Sequence, residues 1–157
     1  MTRIKFILIS SLLLLLVGCQ QKQKMENFTY KYSMESTNNY KVDFQLNPDS
    51  SYIINQNNQF FDKFDGVYRP ILKEGFLTES EYNKLEELIN KSNLEKMKDS
   101  YGFGDNSDKT VMYNLELSYG DTHKYVVINL KSDQEFSKSF IELIEYTNSL
   151  IDLKIKS

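Results

Sequence analysis

One thiol, one imidazole and one acidic loop are the residues whose types could carry chemistry. Cys19 is the only cysteine and His123 the only histidine in the 157 residues. His123 stands between Thr122 and Lys124, beside Gly120-Asp121. A general base needs an orienting partner and a substrate pocket, and a metal site wants several ligands. A lone turn histidine supplies neither, so His123 is expected to be an exposed turn residue. Residues 99–108 (DSYGFGDNSD) gather hard oxygen ligands at Asp105, Asn106, Ser107 and Asp108, the kind that Ca²⁺ prefers. The spacing of a calcium loop is missing, however, and no Glu closes it. Gly102-x-Gly104 has Ser107 where a dinucleotide loop carries its third glycine, and it follows no parallel-strand pattern. The stretch is therefore expected to be a connector. Glu79 and Glu81 suit the positive end of a helix, and Glu86 and Glu87 are read as its solvated face. No G-x-S-x-G is present. This set yields no catalytic, cofactor-binding or metal residue.

Cys19 gains meaning from what precedes it. The chain starts Met1-Thr2-Arg3-Ile4-Lys5, short and positive, and residues 6–17 are apolar except for Ser10 and Ser11. A basic start followed by 7–15 apolar residues is the layout of an export signal, and the run falls short of the roughly 18 residues that a membrane-spanning helix needs. The junction Leu16-Val17-Gly18-Cys19 resembles the lipobox of bacterial lipoprotein precursors. That resemblance implies a cut before Cys19, a diacylglycerol thioether on its sulfur and acylation of its new amine. Several acyl chains anchor a protein stably, where one is marginal. Residues 1–18 are thus expected to be the signal peptide and Cys19 the lipidated residue. The location implied is the cell envelope, with the outer membrane favoured in a two-membrane host because Gln20 rather than Asp follows the cysteine.

Lipidation would use up the only thiol, which removes disulfides, thiolate catalysis and cysteine metal sites from the mature chain. Losing Arg3 and Lys5 takes the basic residues from 19 to 17 against an unchanged 22 acidic ones, so the net charge moves from −3 to −5. Phosphate binding needs clustered Lys and Arg, so no nucleic-acid partner is expected. The chain has 11 Tyr and 10 Phe but no Trp, enough to build an aromatic core while weakening a sugar-stacking role.

The elements that would position these residues are read from periodicity. Residues 20–27 (QQKQKMEN) are polar and read as a tether, leaving 28–157 as one domain. Tyr40, Val42, Phe44 and Leu46 alternate with polar residues, which predicts a strand with one buried face. Asn47-Pro48-Asp49-Ser50 predicts a turn, and Tyr52-Ile53-Ile54 begins the return strand. Thr78-x-x-Glu81 is a capping box, opening a helix whose stripe is Tyr82, Leu85, Leu88 and Ile89. The pattern recurs. Tyr113, Leu115 and Leu117 alternate, Gly120-Asp121 turns, and residues 125–130 return. Ser132-x-x-Glu135 predicts a second helix start ahead of a Phe136, Phe140, Leu143, Ile144, Thr147, Ile151 stripe. The expected fold class is α+β, an antiparallel sheet from two hairpin-plus-helix units with both helices packed on one face. The aromatics Phe60, Phe61, Phe64, Tyr68, Tyr101 and Phe103 are expected mainly in the core; exposed together, they would mark a partner site.

Over residues 40–152 the plan is similar to a family of small bacterial lipoproteins built on a domain of unknown function. The resemblance rests on Gly66-Val67-Tyr68 and Gly75-Phe76, the helix after Thr78, the Tyr-and-Asp loop at 101–108, the hairpin at 113–130 and a last helix ending near Leu150-Ile151-Asp152. Where that family often has a Cys-Pro pair before the first strand, this chain has Asn38-Asn39-Tyr40. The resemblance brings no activity and no site residues.

The functional expectation is a non-enzymatic envelope lipoprotein, held to the membrane through Cys19, that binds a protein or other ligand without a cofactor. An inhibitor or immunity-type module is a narrower form of it, and a hydrolase or metal-dependent enzyme is the alternative. Protein taken from membranes is expected to lack residues 1–18 and to carry acyl mass on residue 19. Cys19→Ser is expected to remain an unacylated precursor, and intact-mass spectrometry distinguishes the two.

Overall fold

A computed structural model describes residues 25, 27–36, 40–58, 70–103, 111–130 and 134–157. Cys19, Phe60, Phe61, Phe64, Tyr68, Asp105, Asn106, Ser107, Asp108 and Ser132 lie outside them. The protein is mixed α/β. Strands β1 (Thr29–Ser36), β2 (Tyr40–Leu46), β3 (Ser51–Asn58), β4 (Ile71–Phe76), β5 (Ser100–Tyr101), β6 (Val111–Tyr119) and β7 (Thr122–Asn129) form one seven-stranded sheet. Its order is β4-β3-β2-β1-β6-β7-β5. All neighbours are antiparallel except β5, which runs parallel to β7. Helix α1 spans Glu79–Ser92, and α2 spans Lys138–Lys156. Among the described residues, no helix is long and apolar enough to cross a membrane.

The period-2 patterns become buried rows. Tyr30 pairs with Leu46 and Leu117, and Tyr32 with Phe44 and Leu115. Val42, Phe44, Leu46, Ile54, Leu115, Leu117, Val126 and Ile128 are buried with them. Both helices send side chains to this side of the sheet. The Tyr82 ring lies 5.2 Å from Phe28, and Tyr32 donates to Asn148 Oδ1 at 2.7 Å. Leu85, Leu88 and Ile89 of α1 and Phe140, Leu143, Leu150 and Ile151 of α2 complete the core.

The first helix begins where its capping box places it. Thr78 Oγ1 accepts from the Glu81 amide at 3.3 Å, and Glu81 Oε2 accepts from the Thr78 amide at 2.8 Å. The second begins later than the Ser132-x-x-Glu135 pattern predicts. Ser137 is the cap, its hydroxyl accepting from Phe140 N at 3.3 Å, and Glu135 precedes the helix. Phe136 decides this: its ring packs edge-on to Tyr101 at 5.4 Å and against Phe140 at 5.2 Å. Anchoring that aromatic beside β5 leaves the next serine to start the helix.

β4 occupies the strand-like segment at Pro70-Ile71-Leu72 ahead of the capping box, while two other strands depart from the sequence reading. β1 lies in a stretch to which no element is assigned above, and β5 lies inside the expected connector. Gly102 ends β5 at φ 77°, and a Cβ there would come within 1.9 Å of the Asn129 carbonyl oxygen. Close approach to β7, not phosphate binding, is what the glycine serves. Glu86 also departs: it is only 7% exposed, and its Oε1 accepts from the Met25 amide at 2.7 Å. Met25 itself is buried, so packed chain begins inside the stretch read as tether. Glu87 does face solvent, beside Lys91 at 2.6 Å and Lys84 at 3.6 Å.

The helices are clasped at one end by Glu81 of α1 and Lys154 of α2, 2.8 Å apart. Burial alone would raise the Glu81 carboxyl, but hydrogen bonds from Lys154 and Thr78 outweigh it and hold it below its ordinary range. A depressed folded pKa adds stability above the unfolded value, near pH ~4.3. That stability is lost as pH falls through the folded value. Glu81→Gln is expected to destabilise by about 1–2 kcal/mol at pH 7 and to flatten the acid limb of a urea-midpoint-versus-pH curve.

Candidate functional site

The other face of the sheet is built from the alternate residues of the same strands, and neither described helix covers it. Strand register brings Ser33 directly opposite Asp43 on β2 and Asn114 on β6. One step along, Lys31 lies opposite Gln45 and Glu116. Ser33 is short and its neighbours are longer, so the centre of the face is a depression of about 260 Å³. Ile53, Asn55 and Tyr125 form its flanks. Ligand pockets for drug-sized molecules run from about 300 to 1,000 Å³, so this hollow suits one inserted side chain or a short polar group better than a whole metabolite.

Its polar groups are largely paired. Lys31 Nζ is 2.9 Å from Glu116 Oε1, and Lys41 Nζ is 3.3 Å from Asp43 Oδ2. Both pairs are partly solvated, which limits each to roughly 0–1 kcal/mol. The Tyr125 hydroxyl donates to Asn114 Oδ1 at 3.3 Å. Ser33 Oγ is the exception: it is buried and has no hydrogen-bond partner among the described residues. An unmade hydrogen bond on a buried hydroxyl costs about 1–3 kcal/mol, and a ligand group that met it would recover part of that.

His123 is exposed on the second residue of β7, on this same face near the Gly120-Asp121 turn. Its Nδ1 lies 2.8 Å from Ser118 Oγ across the hairpin. Sequence reasoning missed Ser118, although the hairpin register places it directly opposite His123. The contact meets the distance of a nucleophile and base, but a working pair also needs a third group to orient the imidazole and a site that excludes water. His123 has its hydrogen bond with a serine rather than a carboxylate, and it lies outside the depression. Among the described residues, no group of three or more His, Cys, Asp or Glu side chains is placed to hold a metal ion.

The remaining candidates are not brought to this face as a set. Asp99 pairs with Lys124 Nζ at 2.5 Å. Tyr101 packs on Phe136, whereas Phe103 is 49% exposed. Glu79 and Glu81 lie at the α1 N-terminus. Cys19, which the sequence marks for lipid, falls outside the described residues.

No protein-family model matches the chain, and no curated protein matches it either. The resemblance over residues 40–152 therefore gains no support from them.

Because Ser33 Oγ is desolvated without a partner, Ser33→Ala is expected to leave stability unchanged or raise it by up to ~1 kcal/mol, read from the urea midpoint. A loss above ~1 kcal/mol would show that the hydroxyl is satisfied.

Proposed function

We propose that the protein is an exported lipoprotein, anchored in the cell envelope through Cys19, that works as a non-enzymatic binding module. Its partner docks on the sheet face that neither described helix covers. The observation that carries the binding site is the Ser33 depression: a buried, unpartnered hydroxyl at the centre of a face of mixed charge, flanked by the half-exposed Ile53 and Tyr125. A mature charge of −5 and interleaved Lys31, Lys41, Asp43 and Glu116 suit a protein surface and not a nucleic acid. The hollow is too small to enclose a drug-sized ligand, which also points to a macromolecular partner.

The sheet is read as two hairpin-plus-helix units joined by β1. The pairings that support this are β2 with β3 ahead of β4 and α1, and β6 with β7 ahead of α2. β1 pairs with β2 on one edge and β6 on the other. The proposed face thus straddles the joint between the units, with Asp43 from one and Asn114 from the other on either side of Ser33.

A photo-crosslinker placed at Tyr125 is expected to trap an envelope protein in intact cells, and trapping is expected to fall at least tenfold with Asp43→Lys. The same crosslinker at Ile141, exposed on α2, is expected to trap nothing. Trapping from position 141 and none from 125 would refute the proposed face.

A further inference from the structure

We infer that one end of the domain is held against the bilayer and that the exposed Phe76 ring of that end sits at the lipid headgroups. The inference rests on the lipid anchor at Cys19 and adds an orientation to it. Met25 is buried and its amide is bonded to Glu86 at 2.7 Å. The chain is therefore committed to the domain six residues after the cysteine. Six residues span at most about 20 Å when fully extended. An eight-residue strand is itself roughly 26 Å long. So short a link brings the end of the sheet at which β1 starts to the membrane and keeps the opposite end away.

Strand register shows what lies at the near end. Thr29 pairs with Ser118, Tyr30 with Leu46, Leu46 with Tyr52 and Ser51 with Phe76. Phe76 therefore shares its row with the start of β1 and with the turn at residues 47–50. At 69%, it is the most exposed of the large hydrophobic residues of the described chain. Leu153, 57% exposed, belongs to the same end, because its neighbour Lys154 reaches Glu81 and lies 5.8 Å over the Tyr52 ring. Phe103 and Leu130 lie at the other end, beyond Tyr101 and Asn129. An aromatic ring held within reach of the headgroups is more stable partly inserted than in water. Asp49 and Glu79 stand at the same end, as do Lys154 and Lys156 of the last turn of α2, and this mixed charge is matched by a zwitterionic bilayer without calling for anionic lipid. The anchor provides the affinity, and Phe76 sets which way the domain faces. The Ser33 face is then left open to partners beside the membrane.

The chain has no tryptophan, so single-tryptophan variants report without background. Mature lipidated Phe76→Trp and Phe103→Trp would be reconstituted in phosphatidylcholine vesicles with brominated acyl chains. Phe76→Trp fluorescence is expected to fall at least twofold relative to unbrominated vesicles, with Phe103→Trp unchanged. Equal quenching of both, or none at position 76 in protein that floats with the vesicles, overturns the orientation while the anchor stands. Wild-type protein that does not float overturns the anchor and the orientation with it. Phe76→Trp emission shielded equally with and without lipid, in an unlipidated protein that starts at Gln20 and elutes as a dimer, would assign the ring to a second copy and overturn the inference.

Discussion

The pairing of β1 along both of its edges is the constraint on which the rest of the structure depends. Without it, the sheet order would fall into β4-β3-β2 on one side and β6-β7-β5 on the other. Tyr30 and Tyr32 make the joint costly to open. Each ring is buried between a β2 residue and a β6 residue, and each phenol meets α2, Tyr30 at Thr147 and Tyr32 at Asn148. A buried phenol without a partner would cost several times what a satisfied one contributes. Burial drives both phenols well above their ordinary range.

The two faces follow from the same alternation. Residues that meet the helices are mostly aromatic or aliphatic, and residues one position away are mostly polar (Lys31, Ser33, Asp43, Asn114 and Glu116), with Ile53 and Tyr125 among them. The helix side is closed by the Glu81–Lys154 clasp, with the Lys154 ammonium also over the Tyr52 ring. Gly75 opposite Tyr52 leaves space there, since an added Cβ would come within 2.9 Å of the tyrosine hydroxyl. The other side holds Lys31 and Glu116 in a pair across β1 and β6 and Lys41 and Asp43 in a pair along β2, which order the surface at little net energy. A polar, shallow, pre-formed surface of this kind suits recognition of a partner better than enclosure of a substrate.

Placement and recognition meet at Met25. If Cys19 carries lipid, the Met25–Glu86 bond shortens the free link and thereby limits how the domain can face the bilayer. The depression around Ser33 lies on a face that runs along the strands, so it is not pressed against the membrane when the β1 end is.

The strands β2, β3, β6 and β7, the turn at residues 47–50, the capping box at Thr78 and the core stripe of each helix were legible in the sequence, because local periodicity and cap chemistry act over a few residues. β1 carries the same alternation at Tyr30, Tyr32 and Met34, and the Ser36-Thr37-Asn38-Asn39 run ahead of β2 is turn-forming in type, so its pairing with β2 follows local rules; only its second partner, β6, is remote in the chain. β5 is two residues long, too short for any period. The start of α2 at Ser137 depended on Phe136 finding Tyr101, and the burial of Glu86 depended on the Met25 amide 61 residues away. The Ser33 depression was invisible for the same reason: it exists only because register places a short side chain between Asp43 and Asn114. By itself the sequence determined the elements and the motif at Cys19, through interactions a few residues apart. Only the tertiary structure decided strand order, the exact start of α2 and which polar groups face one another, because those depend on contacts between residues that the chain holds far apart.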